Sequence, residues 1–178
     1  METVNPKQLA DEAQAEYSKG EYLSAAKLFI AAADGYSATD DEILAAEMAN
    51  NCSVAFLKSG DAKSALEVVK GTDKVFGSHG EMLRQAMALG NQAAALEGLK
   101  RLDEAVEAYG RSAELLNEIG EFELRAYVQQ SISAIKLRKG RYLEAFAFMH
   151  DGVSKIDNPN LRQRMLKSLM KLPFKFLR

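Results

Sequence analysis

The chain has 178 residues, enough for one domain with a continuous core, and 47% of them are apolar, so that core can be filled. A single cysteine, Cys52, excludes an internal disulfide, and no apolar run is long enough to span a bilayer. The net charge of -2 is unevenly placed. Residues 161–178 hold six basic groups and no acidic one, so residues 1–160 carry 17 basic against 25 acidic groups, a balance of -8 that argues against nucleic-acid binding by the body.

In chain order, the start is polar, from Glu2 to Gln8, without the charged-then-apolar pattern of a secretory signal. A cytoplasmic protein is expected, peripheral to a membrane if the basic tail docks there. Prolines occur only at Pro6, Pro159 and Pro173, and good helix formers dominate between them. Helices are predicted over 6–19, 22–37, 41–59, 62–76, 81–99, 102–118, 121–139 and 142–156. Turn signals separate the pairs at Ala38-Thr39-Asp40, Gly77-Ser78-His79-Gly80, Ile119-Gly120 and Asn158-Pro159-Asn160, where Asn158 reads as an N-cap followed by a first-turn proline.

These helices repeat with a period of 40 residues. Ala25, Ala65, Ala105 and Ala145 form one column, and Gly20, Gly60, Lys100 and Gly140 another. Two more columns are small throughout: Ala13, Ser53, Ala93, Ser133 and Ala32, Thr72, Ser112, Gly152. Phe29, Val69, Tyr109 and Met149 form a large apolar column. Small residues allow paired helices to cross closely, large ones fill the remaining space, and glycine permits the left-handed turn within each pair. Lys100 departs from the glycine column, which suggests a looser turn or one that uses Gly98. A helix pair cannot bury its apolar stripe alone, so neighbours must stack. The expected fold is all-α: a superhelical solenoid of about four helix-turn-helix units (6–45, 46–85, 86–125, 126–158) and a C-terminal capping helix within 159–178.

The stretches Lys19-Gly-Glu-Tyr-Leu-Ser-Ala25, Leu102-Asp-Glu-Ala105-Val-Glu-Ala-Tyr109 and Lys139-Gly-Arg-Tyr-Leu-Glu-Ala145 resemble the turn motif of the tetratricopeptide (TPR) family. The standard repeat there is about 34 residues, so this chain resembles the long-repeat class. HEAT and armadillo repeats have a similar period but lack this turn. The resemblance covers residues 6–158 and implies a non-catalytic scaffold that holds a peptide or helix of a partner protein in a concave groove of first helices. By register that groove would be lined by Gln14, Tyr17, Asn50, Asn51, Val54, Met87, Asn91, Ala94, Tyr127, Gln130 and Ala134. Asn51 and Asn91 share a column, and an asparagine can both donate to and accept from a ligand backbone; the same residues also suit a merely solvated helix face. In the subgroup that clamps acidic chaperone tails, cations flank the central asparagine. Here Ala10, Gln14, Met87 and Asn91 stand at the flanking positions, so the resemblance argues against a chaperone-tail clamp.

The segment from Leu161 to Leu172 is amphipathic and basic, with Pro173 closing it. It reads as a cap on the last unit, as a helix for an anionic membrane surface or a partner through Arg162, Arg164, Lys167, Lys171, Phe174, Lys175 and Phe176, or as a segment that enters another copy and makes a homo-oligomer, a self-assembling structural protein. No enzyme chemistry, cofactor or metal is expected. His79 and His150 lack partners at ligand spacing, Cys52 reads as a buried thiol, and acidic pairs such as Asp40-Asp41 and Asp103-Glu104 fit helix N-termini.

Overall fold

A computed structural model describes residues 5–156 and 159–170. Among them the chain is all-α, with no strand. Unit one is α1 (Pro6–Lys19) and α2 (Tyr22–Ser37); unit two is α3 (Glu42–Ser59) with α4 (Ala62–Val69) and α5 (Thr72–Ser78). Unit three is α6 (Met82–Gly98) and α7 (Leu102–Glu118), unit four is α8 (Phe122–Arg138) and α9 (Tyr142–Ser154), and α10 (Leu161–Met170) follows. Each helix from α1 to α4 and from α5 to α10 packs on its chain neighbour, and α4 also reaches α6, so the pairs stack in sequence as an α-α repeat. No helix of the described residues is long and apolar enough to cross a membrane.

The repeat columns are the core. All members of the two small columns and of the alanine column are buried, as are Phe29, Val69 and Tyr109, while Met149 is half-buried. The close crossings are visible as hydrogen bonds from short side chains of one helix to the backbone of its partner in the pair: Ser133 Oγ donates to the Ala145 carbonyl at 2.8 Å and Ser112 Oγ to the Ala86 carbonyl at 2.7 Å. One apolar cluster fills units one and two and another units three and four; Phe76, Ala46 and Ala88 form a third, smaller one between α3, α5 and α6.

Three expectations are corrected. The predicted second helix of unit two, 62–76, is two helices, because Gly71 takes a left-handed φ of 89° between them. The broken end is satisfied locally, since Thr72 Oγ1 donates to the Val69 carbonyl at 2.8 Å. The turn at Lys100 is neither loose nor built on Gly98: Lys100 itself adopts the left-handed conformation, φ 62°, that Gly20, Gly60 and Gly140 adopt elsewhere. Gly98 serves a close approach instead, for a Cβ there would lie 2.7 Å from the Cβ of Ala62. Finally, α10 starts at Leu161 and Asn160 is its cap. The Gln163 N–H donates to Asn160 Oδ1 at 3.0 Å and the Asn160 N–H to Gln163 Oε1 at 2.8 Å, a reciprocal capping box. Asn158, Leu172 and Pro173 lie outside the described residues.

Candidate functional site

The first helices α3, α6 and α8 are tied to one another across unit boundaries by three side-chain pairs. Arg84 on α6 pairs with Glu47 on α3 at 3.4 Å. Asn91 Nδ2 on α6 donates to Asn50 Oδ1 on α3 at 2.9 Å. Arg138 on α8 pairs with Glu97 on α6. Glu97 also accepts from the Tyr109 hydroxyl at 3.3 Å. Burial and the Glu97 charge both push the Tyr109 phenol well above its ordinary range.

Between the ion pair at the start of α6 and the one at its end lies an uncharged strip. On α6 it holds Met87, Gly90, Asn91 and Ala94; on α8 it holds Tyr127, Gln130, Ser131 and Ala134. Met87 is 50% and Tyr127 71% exposed, the highest values among the large apolar side chains of α6 and α8. Leu83 and Leu124 are also exposed, one turn or less before them. The spacing of these positions, three to four residues along each helix, puts them on one face, about a third of a turn round the helix from the buried small-column residues Ala93 and Ser133.

The predicted groove residues divide accordingly. Met87, Tyr127, Gln130 and Ala134 are exposed, and Asn51, Val54, Asn91 and Ala94 are half-buried on the same set of helices. Asn50 is buried and accepts from Asn91, so this pair fastens α3 to α6 before it can serve any ligand. Asn91 keeps its Oδ1 and one N–H, whereas Asn51 makes no side-chain hydrogen bond among the described residues. Gln14 is exposed on α1, and the half-buried Tyr17 sits edge-on to Tyr22, ring centres 5.3 Å apart, within its own unit. No side-chain bond joins α1 to α3 among the described residues, so the ladder that organises the strip begins at α3. The three cross-unit pairs were not foreseen; a hint was available in the opposite charges of Glu47 and Arg84, and of Glu97 and Arg138.

In the tail, Lys167 is turned to the body. Its ammonium donates to the carbonyls of Ile156 at 2.9 Å and Ser154 at 3.4 Å, which closes the end of α9. Arg164 is exposed. The Arg162 side chain and Lys171, Phe174, Lys175 and Phe176 lie outside what the structure describes.

Elsewhere, Cys52 is buried, its thiol donates to the Ala26 carbonyl at 3.4 Å, and desolvation pushes its pKa up to about 12. His79 is exposed at the end of α5 and His150 is exposed on α9. Among the described residues no three His, Cys, Asp or Glu side chains are grouped to hold a metal ion. A polar recess of about 330 Å³ lies at the first unit boundary, lined by Thr39, Asp40, Asp41, Glu42, Ile43 and His79. No protein-family model matches the chain, and no curated protein matches it.

Proposed function

We propose that this is a non-catalytic binding scaffold of the tetratricopeptide kind, which holds an apolar helix or extended peptide of a partner protein along the first helices of units two to four. The observation that carries the reading is the uncharged strip on α6 and α8, with Met87 and Tyr127 exposed and an ion pair at each end. An aromatic and a methionine beside small residues give a ligand a place to bury its own apolar side chains, and such anchors dominate binding energy at interfaces. Because the charges that bound the strip on α6, Glu47 with Arg84 and Glu97 with Arg138, are already paired, they ask for no compensating charge from the ligand. Asn51 and the free edge of Asn91 supply backbone hydrogen bonds without reading sequence.

The test is selection of peptides from a random library on the intact chain. The selected peptides should be apolar and their affinity should change little with salt. A Met87→Asp/Tyr127→Asp variant should weaken them at least tenfold, about 1.4 kcal/mol. Selected peptides that bind the variant unchanged would move the site off this strip and defeat the reading.

A further inference from the structure

We propose that the C-terminal helix is a second, independent docking element, one that seats this end of the protein on an anionic lipid surface. Charge along the stack is segregated. Residues 1–45 hold nine acidic against three basic groups, whereas residues 126–178 hold three acidic against eleven basic. Within unit four Lys136 and Arg141 pair with Glu144, Arg125 with Asp151, Arg138 with Glu97 and Lys139 with Asp103, and Lys155 donates to Asn117 Oδ1. The tail differs. Among the described residues no carboxylate pairs with Arg164 or Lys167, and the sequence from 161 onward contains none to offer. Lys167 is spent on the carbonyls that end α9, and this contact holds α10 against the body. Arg164 donates to the Pro159 carbonyl at 3.0 Å and has no carboxylate partner among the described residues, and the sequence around it adds the basic residues Arg162, Lys171, Lys175 and Arg178.

The same helix leaves apolar side chains in water. Leu161 is 76% and Met165 59% exposed, one helical turn apart, and α10 packs on α9. An acidic peptide or a nucleic acid would neutralise the cations and leave Leu161 and Met165 wet. A bilayer interface takes both: phosphates meet the arginines and lysines, and the acyl boundary receives the leucine, the methionine and the aromatic residues Phe174 and Phe176 of the following sequence. The acidic first unit lies at the other end of the chain order, so the field of the surface would orient the stack with unit four toward the lipid and unit one away.

The experiment is co-sedimentation of the full chain with vesicles of phosphatidylcholine and phosphatidylglycerol at 3:1, against vesicles of phosphatidylcholine alone, with a vesicle-free control. At 0.1 M salt the chain should partition at least tenfold better onto the anionic vesicles, and the difference should collapse at 0.5 M salt, where screening is shorter-ranged. Each cation near such a surface contributes about fivefold, so Arg164→Gln/Lys171→Gln/Lys175→Gln should lose about a hundredfold. Leu161→Ser/Met165→Ser should lose at least tenfold with its charge intact. Lys167 is left untouched, and unchanged helicity and unfolding midpoints would show that both variants keep the fold. Equal binding to neutral vesicles overturns the proposal, as does a charge variant that binds like the parent. So does a leucine–methionine variant that loses nothing, which would mark the tail as a plain polyanion site. Sedimentation without vesicles that rises with concentration and vanishes in the charge variant would assign the tail to a second copy instead, and also overturns it.

Discussion

Asn91 on α6 donates its side-chain N–H to the buried Oδ1 of Asn50 on α3, 2.9 Å away across the boundary between units two and three. The bond joins two helices that belong to different repeats, and its acceptor has little access to water. Asn91→Ala should therefore cost about 1–2 kcal/mol, because it strands a buried acceptor. Asn50→Ala should cost about as much, and the two losses should fall short of additive in a double-mutant cycle by about 1 kcal/mol. Asn51→Ala, at the neighbouring position without such a bond, should stay within about 0.5 kcal/mol. Urea unfolding midpoints measure all four. Equal costs at Asn51 and Asn91 would mean that the bond contributes nothing. For ligand binding it follows that Asn51, rather than Asn91, is the asparagine to change when the fold must stay intact.

Lys100 occupies the left-handed position that glycine fills in the three other units. A side chain there costs about 1–2 kcal/mol, partly offset by the greater freedom glycine gives the unfolded chain. Lys100→Gly should accordingly stabilise the protein by about 0.5–1 kcal/mol. The reverse change, Gly60→Lys, should cost about 1 kcal/mol or more, although nothing lies within 4 Å of a Cβ built there, so the penalty is one of backbone and not of packing. Thermal unfolding reads both. A destabilised Lys100→Gly would show that the lysine side chain makes good its own strain.

The break at Gly71 separates what was legible in the sequence from what was not. A period of 40 residues locates equivalent positions, so the buried columns and most helix limits could be read directly. A single unit that departs from the others is invisible to that comparison: Ala31, Arg111 and Asp151 share the column with Gly71, and none of them breaks its helix. Contact is equally hidden, since Asn50 and Asn91, or Glu97 and Arg138, lie 41 residues apart and fall in different columns. Met87 and Tyr127 are 40 residues apart and do share one, so the register that places one in the groove places the other. Gly71→Ala should cost about 1–2 kcal/mol from its φ of 89° alone. If α4 and α5 instead straighten into one helix, α5 must leave its seat on α6 and Asp73 its pairing with Arg111, and the loss measured by chemical unfolding should be larger still.

The pH range of the fold is bounded on both sides. Hydrogen bonds from the Ser64 hydroxyl and backbone hold Asp61 below the usual carboxylate range, Lys139 does so for Asp103, Arg101 for Glu104, and Lys136 with Arg141 for Glu144. Groups whose pKa is lower in the folded state add stability above their unfolded values and lose it as protons bind, so stability should fall below about pH 4.5. At the other limit Cys52 is raised to about 12 by burial. The unfolded chain ionises this thiol first, so its contribution, complete below about pH 8.5, should be lost as pH rises toward 12. A stability plateau across neutral pH is expected from unfolding curves. Cys52 should also resist a thiol reagent at pH 8 until the protein unfolds; rapid modification of the native protein would contradict the burial.

Unit four contains the one buried guanidinium among the described residues, and its partner is half in water. Arg125 on α8 donates to the backbone carbonyl of Asp151 on α9 at 3.0 Å and pairs with the Asp151 carboxylate, which also accepts from Gln129 Nε2 at 3.0 Å. Removing the carboxylate leaves a charge in a place that desolvates it, a change that costs about 3–5 kcal/mol where the pair is fully buried. Because Asp151 is 47% exposed, Asp151→Ala should cost less, about 2–3 kcal/mol. The double variant Arg125→Leu/Asp151→Ala should recover part of that loss, since it removes the orphaned charge and offers an apolar side chain to a site next to Val128 and Ile132. Thermal unfolding of the two variants decides the matter. A double variant less stable than Asp151→Ala would mean that the arginine holds α8 to α9 through the Asp151 carbonyl alone, with the carboxylate incidental.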